Sequence, residues 1–355
     1  MKKKSLRVLH MTDCMNAGTK EAILDIVSLN PTHTHLLLWG SRNDAPGPTS
    51  IELAKNFDAN NYWVRKNLFD EIRFMKKAIS ELEPDVIHLH SSRAGALGRV
   101  FIRKYQLIYT SHGFGFQRND VGWLKKNIFF YIEKILSKKS YIHAAIWPSE
   151  YQIAVHELKV KQVIFYPPSV MRNFLNPNHF STYSQKREKE VSLFVIGRLT
   201  PAKDPKFAIE TQKYISKISK YRIKWIGCSE SNQSLIRDIL IKNGLMVSHW
   251  IPREVLYHSI KDSAVVLVTS SWEAGPLVFY ESLLNGIPIV TRPILPFKLL
   301  GIECFDNPKD FAAQAVKLAN SRKERENTIS QQIKFVRQYL DREFRDQELY
   351  FNEQK

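Results

Sequence analysis

The chain has 355 residues, 44% of them hydrophobic and 25% charged, with a formal net charge of +17. That length suits two domains of ordinary size, and the composition is that of a soluble globular protein. No run of about 18 apolar residues is present, which argues against a membrane-spanning helix. The widely spaced Cys14, Cys228 and Cys304 form neither a disulfide framework nor a metal cluster, which favours a reducing cytoplasm.

The positive charge is spread along the chain rather than held in one tail. Nothing matches a helix-turn-helix, a zinc finger or an RNA-binding signature, so no nucleic-acid partner is expected. An anionic substrate or an anionic membrane surface fits the charge better.

Met1-Lys2-Lys3-Lys4 looks like the start of a signal peptide. The apolar run behind it, Leu6–Met11, contains Arg7 and His10 and is followed by Asp13, so it reads as a first strand. Further strands are predicted at His35–Trp39, Val86–His90, Leu107–Ser111, His143–Pro148 and Val163–Tyr166. Helices fill Glu21–Leu29, Ile72–Glu81, Gly95–Lys104, Trp123–Leu136 and Glu150–Leu158. A polar stretch ending in Lys186-Arg187-Glu188-Lys189-Glu190 reads as a linker. Strands resume at Val191–Ile196, Ile223–Ile226, Met246–Trp250, Ala264–Val268 and Ile287–Val290. An amphipathic helix, Ile329–Tyr350, closes the chain.

This alternation defines an α/β protein with two Rossmann-like domains in tandem. The predicted boundaries are 1–172 for the first domain, 173–190 for the linker, 191–328 for the second domain and 329–355 for the terminal helix. Ligands of such sheets bind at the carboxyl ends of the strands, here in an inter-domain cleft.

Two motifs leave predicted strand ends in the second domain. The first is Gly197-Arg198-Leu199-Thr200-Pro201-Ala202-Lys203. Gly197 lets backbone approach a ligand, and Arg198 and Lys203 can hold a diphosphate. Alone, this could equally be a solvated turn. The second motif is Glu273-Ala274-Gly275-Pro276-Leu277-Val278-Phe279-Tyr280-Glu281. Pro276 suits the first position of a helix, whose next amides, at Leu277 and Val278, would form an anion site. Glutamates near a helix start can also merely complement its dipole. Together the motifs outline a phosphate site flanked by groups that accept sugar hydroxyls.

Gly197-Arg198-Leu199 with Lys203, Glu273 with Glu281, and Asn285-Gly286-Ile287-Pro288-Ile289-Val290 resemble family 4 of the retaining glycosyltransferases, which have the GT-B fold. Pro84 to Gly95 and Thr110-Ser111-His112-Gly113-Phe114 are similar to acceptor-side strands of capsule and O-antigen members. The resemblance implies that Arg198 and Lys203 bind the donor diphosphate, helped by the amides of Leu277 and Val278. Glu273 would bind the donor sugar and Glu281 the ribose. His112 would face the sugar, Gly18 would admit diphosphate or acceptor, and Gly275 would lie in the sugar-facing loop. The chain departs from the family pattern at Gly275-Pro276, Ala17-Gly18, Pro167-Pro168-Ser169 and Trp250.

The implied reaction transfers a sugar from a nucleotide-sugar, UDP-linked by resemblance, to a lipid-diphosphate-linked glycan. The catalytic set is His112, Glu273, Arg198 and Lys203. No Asp-x-Asp clamp appears, so neither metal nor cofactor is expected. The rival readings are a nucleotide-sugar epimerase of the same fold and a non-catalytic nucleotide-sugar-binding protein.

Two features stay open at this level. A histidine beside a glycine at a strand end, as at His112, is as often structural as catalytic, and one or both of His88 and His90 should serve packing. The basic, aromatic segment from Trp123 to Lys139 is either a helix packing its apolar face inward or an interfacial face for anionic lipid. The second reading places the protein in the cytoplasm, peripherally bound to the inner face of the cell membrane.

Overall fold

The computed structural model describes residues 5–40, 47–63, 67–175, 191–228, 234–261 and 263–344. Most of the predicted linker, 176–190, and the last part of the predicted terminal helix lie outside the described residues. Two compact units emerge: the first holds 5–117 and 121–169, and the second 118–120 and 170–344.

The first unit is built on seven parallel strands: β1 (Arg7–Thr12), β2 (Thr34–Trp39), β3 (Ala59–Tyr62), β4 (Val86–His90), β5 (Gln106–Thr110), β6 (Ile142–Ala145) and β7 (Val163–Phe165). Their order is β3-β2-β1-β4-β5-β6-β7. Helices cover a parallel sheet on both faces, so its strands read as near-continuous apolar runs. β3, Ala-Asn-Asn-Tyr, carries no such signal. It forms by pairing with β2 at the sheet edge, where tertiary context outweighs weak propensity. The helix Ser50–Asn56 before it was also unforeseen, although Thr49 and Glu52 form a capping box legible in the sequence. β6 stops at Ala145, short of the predicted Pro148. Trp147 is the N-cap of a helix, Pro148–Gln152, in which Pro148 opens the first turn. That helix passes into one π-helical turn, Ile153–Glu157.

The second unit has five parallel strands: β8 (Ser192–Ile196), β9 (Ile223–Cys228), β10 (Met246–His249), β11 (Ala264–Val268) and β12 (Ile289–Thr291), in the order β10-β9-β8-β11-β12. Its core is apolar: Leu193, Val195, Trp225, Val265 and Leu267 pack with Phe207 and Phe311 from two flanking helices. The terminal helix runs Arg322–Phe344 and starts before the apolar pattern does. The Ser321 hydroxyl accepts from the amide of Glu324 at 3.3 Å, a capping signal that the polar first turns concealed. Arg325, fully buried, donates to the carbonyls of Leu318 and Ala319 at 2.9 and 3.0 Å, satisfying the end of the preceding helix. Among the described residues no helix is long and apolar enough to cross a membrane.

Candidate functional site

In the second unit, the two motifs occupy loops at the carboxyl ends of β8 and β11. Gly197 ends β8 with φ +145°, and a Cβ there would lie 2.8 Å from Cε of Lys203. Its amide donates to the Ile226 carbonyl at 2.8 Å, and its own carbonyl accepts from Trp225 Nε1 at 2.8 Å. A fixed, side-chain-free backbone thus lies against the Lys203 stem. Lys203 closes a 3-10 turn, Pro201–Lys203. Asp204, at φ +48°, then caps the helix Pro205–Ile218 through the amide of Phe207 and accepts from Arg292 Nη1 at 2.7 Å.

The loop after β11 is tied to this turn. The Thr269 hydroxyl donates to the Lys203 carbonyl at 2.6 Å, and the Ser271 amide to the Ala202 carbonyl at 2.9 Å. These ties bring Lys203 Nζ to 2.5 Å from Glu273 Oε1, which also accepts from the Ser270 hydroxyl at 2.8 Å. Arg198 leaves the same β8 loop half-buried. The motif residues Lys203 and Glu273, 70 positions apart, therefore form one ion pair at the sheet's carboxyl end.

The helix behind Glu273 runs Leu277–Leu284, and Pro276 is its N-cap rather than its first residue. The reason is local: Pro276 is extended at ψ 105°, and its carbonyl accepts from the Phe279 amide at 2.9 Å to close the first turn. The amides of Leu277 and Val278 remain the first two of the helix, and among the described residues no side chain caps this end. Gly275 lies half-buried in the connecting loop.

Glu281 belongs to a different cluster. It accepts from the Tyr257 hydroxyl at 3.1 Å and pairs with Arg253 at 3.1 Å, lining an open depression with His258, Leu284 and Asn285. Burial first, then the Glu281 charge, pushes the Tyr257 pKa well up, so its hydroxyl stays a donor. Trp250 follows β10 and is 56% exposed. A Cβ on Gly227 would lie 3.0 Å from its ring and 2.7 Å from the Gly197 carbonyl, so Trp250 stands beside the Gly197 loop.

In the first unit, His112 follows β5 at φ +51°, and Ser91 follows β4 at φ +75°. Left-handed conformations in such residues cost energy and cluster at functional turns. Glu150, missed in the sequence, holds the His112 turn. Its fully buried carboxylate accepts from the Ser111 hydroxyl at 2.9 Å, the Gly113 amide at 2.7 Å and the Ile146 amide at 3.1 Å. Burial raises its pKa, opposed by these bonds and one from Trp147. The available signal was a glutamate in the first turn behind Pro148. Gly18 is exposed in the first turn of the helix Ala17–Ser28, and a Cβ there would meet nothing within 4 Å.

His88 and His90 are both fully buried. With His10 they offer ring nitrogens within 4.8 Å of one another, the only group of this kind among the described residues that could hold a metal ion. Both nitrogens of His10 and both of His90 are already in hydrogen bonds to other histidines.

The helix Trp123–Leu136 is turned inside out. Its buried residues are Glu133 and Leu136, while Trp123, Leu124, Tyr131 and Ile135 are exposed by 78, 65, 62 and 63%. Glu133 anchors it, accepting from Arg99 Nη2 at 2.9 Å and the Tyr109 hydroxyl at 3.1 Å. Leu136 is buried and Phe130 packs edge-on against Phe116 at 5.3 Å between ring centroids, so the apolar face packs inward only in part and much of it stays exposed.

Residues 179–335 match the family model described as glycosyl transferases group 1. Each of the two units is a parallel α/β sheet domain of the kind that makes up the GT-B fold, as in sucrose-phosphate synthase from Thermosynechococcus elongatus and the glycosyltransferase WaaG. The fold is therefore of the GT-B type, and the stretch similar to glycosyl transferases group 1 falls mostly in the second unit. The chain is 24% identical over 311 residues to a 41.2 kDa protein of the cps region of Klebsiella pneumoniae, covering 81% of each. It is 27% identical over 252 residues to the UDP-Gal:alpha-D-GlcNAc-diphosphoundecaprenol alpha-1,3-galactosyltransferase of Escherichia coli, covering 64% of this chain and 62% of that one. Among solved structures, Anabaena Alr3699/HepE in complex with UDP and glucose superposes with a TM-score of 0.69 at 14% identity, covering 95% of this chain and 98% of that one.

Proposed function

We propose that the chain is a retaining glycosyltransferase of family 4. It moves a sugar from a UDP-linked donor to a lipid-diphosphate-linked oligosaccharide during synthesis of a bacterial surface polysaccharide. The observation that carries this reading is the Lys203–Glu273 pair, set beside Gly197 and an uncapped helix start. The names of the Escherichia coli and Klebsiella pneumoniae relatives support the acceptor and the pathway. The UDP complex of the structural relative supports the nucleotide.

As the bond to the diphosphate breaks, negative charge builds on the leaving oxygen. Arg198, Lys203 and the amides of Leu277 and Val278 stabilise that charge. A diphosphate on Lys203 competes with Glu273 and frees that carboxylate for sugar hydroxyls. Glu281 takes the ribose, and the bare backbone of Gly197 and Gly18 permits close approach. His112 takes a hydroxyl of the sugar. The departing diphosphate oxygen accepts the acceptor's proton on the same face, without the paired carboxylates of a hydrolase. These groups supply the positive charge without a divalent cation.

The helix Trp123–Leu136 is assigned to the inner membrane surface. Its exposed aromatic and aliphatic residues enter the lipid boundary, and Lys125, Lys138 and Lys139, all exposed, meet anionic headgroups. The arginine and lysine are tested together. Arg198→Ala with Lys203→Ala should lower transfer from a UDP-sugar to a diphosphate-lipid acceptor by about 100-fold or more, measured in EDTA with the fold checked by circular dichroism. Near-normal turnover would overturn the assignment. Trp123→Ser with Leu124→Ser should release the protein from phosphatidylglycerol vesicles. Equal retention of the unaltered protein on phosphatidylcholine vesicles at any salt would remove the electrostatic part.

A further inference from the structure

Four buried or half-buried histidines of the first unit are joined nitrogen to nitrogen. His112 Nε2 lies 3.0 Å from His90 Nδ1, and His90 Nε2 lies 3.1 Å from His10 Nδ1. His10 Nε2 lies 3.1 Å from His35 Nδ1, and His35 Nε2 lies 2.9 Å from the Asn30 carbonyl oxygen. Strand register explains the row. His10 sits opposite His88, His35 opposite Val8 and His90 opposite Thr12, so His35, His10 and His90 step diagonally across one face of β2, β1 and β4. His88 sits beside the row and bonds the Thr110 hydroxyl at 2.9 Å.

The end of the row sets its direction. A carbonyl oxygen only accepts, so His35 Nε2 must carry a proton. A neutral imidazole has one donor and one acceptor, so His35 Nδ1 then accepts from His10 Nε2. The same step repeats: His10 Nδ1 accepts from His90 Nε2, and His90 Nδ1 accepts from His112 Nε2. The rings stay neutral because burial lowers the pKa of His10 and His90 well below the usual value and that of His112 to about 3. Reversing any one link would set two donors or two lone pairs face to face inside the protein.

We infer that His35, His10 and His90 are positioning residues that lock His112 as its Nε2–H tautomer, so that Nδ1 is left to accept a hydrogen bond from a sugar hydroxyl. The tautomer lock stands on this geometry alone, and only its ligand rests on the glycosyltransferase reading. A residue remote from the turn thus fixes which nitrogen of His112 can meet a hydroxyl.

The test is a nitrogen-15 correlation spectrum of the histidine rings in the full chain. His10, His35, His90 and His112 should all show the Nε2–H pattern, and a proton on Nδ1 of any of them would overturn the inference. His10→Phe removes both partners in mid-row and should let His112 populate the Nδ1–H form. His10→Gln, whose amide can both donate and accept, should restore the wild-type pattern. An unchanged His112 pattern in His10→Phe would also overturn it. If His10→Phe does not fold, the wild-type spectrum still decides. In the transferase assay His10→Phe should raise the donor KM several-fold more than it lowers kcat, with His10→Gln near wild type. Inactive wild-type protein with the expected spectrum would sink the transferase reading and leave the lock intact.

Discussion

The sheets of the two units are both parallel, yet they bury different chemistry. In the second unit β8, β9 and β11 fill the interior with Leu193, Val195, Trp225, Val265 and Leu267, and the Lys203–Glu273 pair stands in loops beyond the strands. In the first unit His10, His35, His88, His90, Thr110 and His143 lie buried on the strands themselves, and the pair Arg99–Glu133 is buried beside them. A site made of loops on an apolar sheet can lose a charge without losing the fold. A sheet that encloses polar groups is more sensitive to the loss of a partner, because a group left unmatched there has no water to turn to.

The largest effect should come from breaking the buried pair. Glu133→Leu leaves the Arg99 guanidinium and the Tyr109 hydroxyl enclosed without their carboxylate. It should cost about 3–5 kcal/mol in urea unfolding. A loss under about 1 kcal/mol would mean that water reaches Arg99 and that the contrast between the units is weaker than drawn.

Acid comes next. The ordinary histidine pKa is 6.5, whereas burial holds His112 and His143 at about 3. Between these values the unfolded chain binds protons that the folded one refuses. This stability is complete above pH 6.5 and drains as the pH falls towards 3, by about 1.4 kcal/mol per pH unit for each such ring. A thermal midpoint that does not move between pH 7 and pH 5 would contradict it. His143 sharpens the point, since neither of its nitrogens has a hydrogen-bond partner among the described residues and its ring stacks on Phe114. His143→Phe should reduce the acid loss by one ring's share.

The smallest effect on stability is expected at the loops that carry Lys203 and Glu273. Lys203→Ala should change the unfolding free energy by no more than about 1 kcal/mol, as for other partly exposed pairs, while transfer falls sharply. A large loss of stability would make the Lys203–Glu273 pair a structural clamp instead of a ligand site.

Much of the candidate site of the second unit was legible in the sequence because its signals are local. A strand, a glycine at its end and charged residues within one loop identify themselves by spacing, as at Gly197–Lys203 and Glu273–Glu281. The one-residue shift of Pro276 shows the limit: the bond from the Phe279 amide to the Pro276 carbonyl, not composition, chose the helix start. Glu150 stayed hidden because nothing near it in sequence says that its carboxylate holds the turn at His112 and Gly113. His10 and His35 had a faint signal, histidines at alternate positions on strands, but their partners depended on strand order.

The sequence alone determined the α/β class, the main strands of both sheets and the two charged loop motifs of the second unit, since hydrophobic period and loop chemistry are properties of neighbouring residues. Tertiary structure alone decided that Lys203 would meet Glu273, that the helix Trp123–Leu136 would bury Glu133 and expose Trp123, and that four histidines would join in one directed row. Each of these depends on register and packing between segments far apart in the chain, where a shift of one residue turns a side chain to the opposite face.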